Sequence, residues 1–123
     1  MTIDLTPPLV RHVALIGNFP PRRCGIATFT ADLHAALKAG DPDLTISTIA
    51  LNDPGVHHDY PREVGYEIAQ DNLSDYVAAA EHINALNPDI VCLQHEFGIF
   101  GGEAGAHLLA LIARLRAPIV TTL

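Results

Sequence analysis

A doubly wound α/β fold with a mostly parallel sheet follows from three features of the 123-residue sequence. Short apolar runs alternate with segments of helical spacing. The runs are continuous rather than alternating, the mark of strands buried on both faces. Pro and Gly clusters separate the two kinds of segment. Right-handed crossovers then give the spatial order 3-2-1-4-5, with the first and fourth strands adjacent and the chain reversing direction between them.

The first strand is His12 to Gly17 (HVALIG). From Gly25 the spacing turns helical: Phe29, Leu33 and Leu37 recur every four residues, and Lys38 and Gly40 supply a C-terminal charge and a stop. Leu44 to Leu51 reads as the second strand, Pro54 to Pro61 as a polar turn holding His57 and His58, and Val64 to Ala69 as a short third strand. Asp71 or Asn72 caps a second helix whose face is Leu73, Val77, Ala80 and Ile83, and Asn87-Pro88 ends it. Ile90 to Gln94 is the fourth strand. Glu103 to Arg116 is read as the third helix, with its acid in the first turn and Arg114 and Arg116 in the last, and Pro118 to Leu123 as a fifth strand.

Length and composition allow one domain over residues 1–123, large enough for a core without disulfide or metal staples. An apolar final strand with no covering helix leads us to expect a truncated chain or an excised domain. Two cysteines, Cys24 and Cys92, stand in no metal-binding or redox motif and read as reduced thiols. No apolar stretch reaches the ~20 residues of a membrane span, and the N-terminus lacks a secretory pattern, so a cytoplasmic location is expected. The net charge of −7 sits entirely in residues 51–123, where three arginines face ten acids. That surface repels a nucleic acid backbone, and DNA or RNA is not expected as a partner.

The predicted switch point between the first and fourth strands is where ligands bind in such sheets, and two unusual loops meet there. In the first, NFPPRRCGIATF, a strand leads into a helix start that presents unpaired amides to an anion. Gly25 admits close approach, and Arg22 and Arg23 can add bidentate contacts to phosphate. A proline-stiffened surface loop with solvated arginines is the competing reading, and no GxGxxG fingerprint is present. In the second loop, QHEFGIFGGEAG, His95 and Glu96 follow a buried strand. A histidine beside an acid there can orient a hydroxyl or donate to developing charge. Its competing reading is a polar strand end with a packed loop. His57, His58 and Asp59 lack a third ligand of suitable spacing, so no metal is expected.

Together ALIGNFPPRRCGIATFTADL, DIVCLQHEFGIFGG and APIVTTL resemble the N-terminal domain of GT-B glycosyltransferases of family 4, over nearly the whole chain. The resemblance implies a retaining, hexosyltransferase-like enzyme of two Rossmann-like domains. A nucleotide-sugar donor would be held chiefly by a C-terminal domain absent here, and a sugar or glycoconjugate acceptor by this one. Metal and cofactor are not implied, the nucleotide-sugar being a substrate. The family's glycine-rich turn falls on Cys24, Gly25, Ile26 and Ala27, with only Gly25 kept. The resemblance assigns catalysis to His95 and Glu96 and places Gly25 at the donor phosphate, where the loop's own chemistry adds Arg22 and Arg23; Phe97, Gly98, Gly101 and Gly102 are expected to form the acceptor-side loop. The isolated chain is expected to be inactive, and peripheral contact with a membrane stays open. The rival expectations are a noncatalytic nucleotide-binding module and a flavodoxin-like or receiver-like signalling domain.

Overall fold

The computed structural model describes residues 9–96 and 98–122. Its elements run β1 (His12–Gly17), α1 (Gly25–Gly40), β2 (Thr45–Asn52), β3 (Val64–Ala69), α2 (Leu73–Leu86), β4 (Ile90–Gln94), α3 (His107–Ile112) and β5 (Ile119–Thr122). All strand pairs are parallel, in the order β3-β2-β1-β4-β5. The chain is thus an α/β protein with the expected Rossmann-like sheet.

The strands divide their side chains between two layers. Ala14, Ile16, Ile49, Leu51, Ile68, Val91 and Leu93 form the main core with Tyr76, Ala79, Ala80 and Ile83 of α2 and Leu108 and Leu111 of α3. Each fully buried Leu or Ile contributes roughly 1.5–3 kcal/mol by leaving water. On the other face Leu15, Thr48 and Ala50 are buried beneath α1. Gly17 lets that helix in close: a Cβ there would stand 2.9 Å from Thr30 Oγ1 and 3.1 Å from Gln94 Cβ.

Three expectations need correction. The inward side of α1 is Ala27 and Thr30, while Phe29 is 47% exposed, because the approach at Gly17 demands small residues. In α2, Leu73 occupies the first helical position and points outward, and Tyr76 takes its place in the core. The third helix is far shorter than Glu103 to Arg116. Glu103–Gly105 is a 3₁₀ turn, and positive φ at Ala104 (52°) and Gly105 (79°) breaks it from α3, which ends at Ile112. Arg114 instead donates to the Ala110 carbonyl from beyond the helix.

Both helix ends of α2 follow local chemistry. Asn72 Oδ1 accepts from the Ser74 amide at the N-terminus, and Asn87 closes the C-terminus in the left-handed conformation ahead of Pro88. Among the described residues no helix is long and apolar enough to cross a membrane.

Candidate functional site

The carboxyl ends of β1 and β4 lie side by side, and the loop after β1 enters α1 there. A shallow cleft of about 260 Å³ opens at this point, lined by Gly25, Ile26, Phe29, Gln94, His95 and Thr122. Gly25 and His95, singled out separately from two distant segments, thus share one wall-to-wall space.

Gly25 is the first residue of α1, and nothing lies within 4 Å of where its Cβ would be. Cys24 caps the helix in extended conformation: its Sγ accepts from the Ala27 amide at 3.4 Å and from Asn18 Nδ2 at 3.3 Å. Helix geometry leaves the Gly25 and Ile26 amides without a partner inside the helix, and no acidic side chain occupies the first turn. The positive end of a 16-residue helix therefore faces the cleft unopposed.

His95 is fixed at its backbone, where its amide donates to the Thr122 carbonyl at 2.9 Å. Its ring stacks on buried Phe100, with centroids 5.5 Å apart and planes 21° from parallel. One ring face is thereby held by packing, and the residue lines the cleft. Glu96 is exposed and does not line it.

Arg22 has a different task from the phosphate contact expected of it. Its guanidinium donates to the Leu51 carbonyl at 2.9 Å and to Asn18 Oδ1 at 3.2 Å, reaches Gln70 Oε1 at 3.4 Å, and pairs with Asp53 at 3.2 Å. With 12% of its side chain exposed, Arg22 ties the first loop to β2 and β3. Arg23 is exposed and outside the cleft lining. Asp53 also accepts from His58 Nε2 at 2.9 Å. That hydrogen bond, with Arg22 nearby, holds its carboxyl below the ordinary value. His57 stands 3.4 Å from Glu67 instead, so the two histidines serve different carboxylates.

The glycines of the second loop serve its shape. Gly98 has φ of 94°, and its carbonyl accepts from Gln70 Nε2 at 3.1 Å. Gly101 lies against the main chain of Gln70, where a Cβ would come within 2.0 Å of the carbonyl oxygen. Gly102, with φ of 82°, packs beneath the His107 ring. Phe97 lies outside the described residues. Among the described residues no group of three or more His, Cys, Asp or Glu stands close enough to hold a metal ion.

Sequence reasoning missed the residues that join these loops. Gln70 bridges Arg22 on one side and Gly98 on the other. The Tyr76 hydroxyl donates to the Gln70 carbonyl at 2.7 Å and accepts from the Gly101 amide at 3.1 Å, and burial pushes its pKa up. It also missed Gln94, although a glutamine closing an apolar run is itself a signal. No family model, no curated protein and no solved structure matches the chain.

Proposed function

We propose that the chain is the N-terminal, acceptor-side domain of a retaining GT-B glycosyltransferase of family 4. A C-terminal domain would supply most of the grip on a nucleotide-sugar donor. The observation supporting this is the meeting of a helix start at Gly25, whose first two amides have no partner inside the helix, with His95 across one cleft at the β1/β4 switch point. In such a transfer the bond between the anomeric carbon and the diphosphate breaks while the acceptor oxygen bonds to the same carbon, and the acceptor's hydroxyl proton passes to the departing diphosphate oxygen. Negative charge grows on the leaving diphosphate, which helix amides favour without any reorganisation. His95, its ring steadied by Phe100, then holds a sugar hydroxyl or stabilises the departing charge.

Within this reading Arg22 shapes the loop and leaves the anion contact to the Gly25 and Ile26 amides. Glu96 stays a neighbour of His95, with no seat in the cleft itself. The strand order departs from the 2-1-3-4-5 of flavodoxin and receiver domains, which weighs against a signalling module.

Two substrates held from both sides of a cleft can account for ~7–11 kcal/mol of a barrier, and one open face cannot do so. The purified chain alone is therefore expected to show no multiple-turnover sugar transfer. The gene itself gives the decisive test. A second βα pattern of about 200 or more residues past the codon for Leu123 supports the reading, and a stop codon there overturns it.

A further inference from the structure

Gln94 closes β4 with a carboxamide oxygen that the fold leaves unpaired, although the residue is 1% exposed. The nearby hydroxyl of Thr30 is spent on the Ile26 carbonyl at 2.8 Å. Gly17 gives up a side chain to make room, since a Cβ there would stand 3.1 Å from Gln94 Cβ. A buried polar group left unpaired is less stable than an apolar residue of the same shape, so the position runs against the interest of folding. The same residue lines the cleft beside Gly25, Ile26, Phe29 and His95.

We infer that Gln94 reads a hydroxyl of a ligand seated in this cleft, and that the ligand is a pyranoside. The inference rests on the cleft being the ligand site proposed above and does not depend on sugar transfer. The cleft offers an apolar wall, Ile26 and the half-exposed ring of Phe29, and has Gln94, whose unpaired carboxamide oxygen is buried, and His95 among its other lining residues. A pyranose matches both, with C–H faces for the aromatic ring and hydroxyls along its edge. A wholly apolar ligand leaves the carboxamide unpaired. A fully ionised phosphate presents acceptors alone, which an unpaired carbonyl oxygen cannot use. A hydroxyl both donates and accepts, so it satisfies Gln94 whichever way the amide is turned about its soft terminal torsion.

The test is an NMR titration of the ¹⁵N-labelled chain with methyl α-D-glucopyranoside, methyl α-D-mannopyranoside and methyl α-D-galactopyranoside, with inorganic phosphate as comparator. At least one glycoside should shift the Gln94 side-chain NH₂ pair and the Gly25, Ile26 and His95 amides saturably. Phosphate should leave the Gln94 pair in place. Gln94→Met, close in shape, should weaken that glycoside roughly tenfold while unfolding at the same urea concentration as wild type or higher. Absence of a saturable shift with all three glycosides overturns the inference. So does equal affinity in the variant, or a variant that unfolds earlier, which would mean the carboxamide is a structural partner after all. A glycoside response joined to no binding of uridine or guanosine diphosphate by the complete enzyme would remove the transferase reading and leave this one standing.

Discussion

Replacing Gly101 by alanine adds one methyl group where the structure has no room for it. The new carbon would lie 2.0 Å from the Gln70 carbonyl oxygen, 2.9 Å from its carbon and 3.0 Å from Asp71 Cα. All three are main-chain atoms between β3 and α2, so no side chain can swing aside. Overpacking of this kind costs about 1–3 kcal/mol. Relief by moving the loop pulls the Gly101 amide off the Tyr76 hydroxyl, now 3.1 Å away, and leaves a buried donor unpaired at a cost of about 1–3 kcal/mol more. Gly101→Ala is therefore expected to lose about 2–6 kcal/mol, a large share of the roughly 6–18 kcal/mol that a chain of 123 residues has in all. Urea unfolding measures this as a fall in midpoint at unchanged slope. Gly25→Ala is the matched control: nothing lies within 4 Å of its Cβ, so stability should hold or rise by about 0.4–1 kcal/mol. A Gly101→Ala midpoint within about 0.5 kcal/mol of wild type would refute the packing argument.

Arg22→Met should lower unfolding free energy by about 1–3 kcal/mol, since it strips hydrogen bonds from the Leu51 carbonyl and Asn18 at a mostly buried side chain. Unchanged stability would make Arg22 a solvated arginine. Acid should weaken the fold through two carboxylates held below their ordinary value of 3.8: Asp53 chiefly by its His58 hydrogen bond, and Asp89 by the amides of Arg11 and His12. Their folded pKa values are depressed, so this stability is complete above 3.8 and is lost as pH falls through the lower folded values. Urea midpoints that stay level between about pH 5 and pH 3 would contradict it. His95→Ala should cost the fold only about 0.5–1.5 kcal/mol, the worth of its stack on Phe100. In the complete enzyme the same change should slow turnover roughly 30- to 1,000-fold, from ~2–4 kcal/mol of lost transition-state stabilisation. A near-normal rate would leave His95 a packing residue.

Two strands were legible because burial on both faces writes itself as an apolar run, and His12–Gly17 and Ile90–Gln94 begin and end where the sequence predicts; so does Val64–Ala69, an edge strand in which only Ile68 is fully buried. Helix faces were less so. Phe29 fits an apolar stripe by spacing, but close approach over Gly17 favours Ala27 and Thr30 instead. The third helix was overread because Ala104 carries no sign in its side chain that its backbone will turn left-handed. In the candidate site, Gly25 and His95 were visible as oddities at two predicted strand ends, and only the sheet order was needed to bring them together. The internal bonds of Arg22 went unforeseen and Gln70 and Tyr76 were passed over for one reason: their contacts join segments 25 to 48 residues apart, which local pattern does not encode.

The side chain of Gln70 acts as a tie rod between separate loops. One end of its amide meets Arg22, itself anchored on the Leu51 carbonyl, and the other meets the Gly98 carbonyl. Displacement of the loop that follows β4 is therefore passed to the loop that follows β1 through a single planar group too short to slacken. The two rims of the cleft are mechanically one part, and amide protons on either rim should exchange with solvent in concert. A ligand that draws one rim inward moves the other with it.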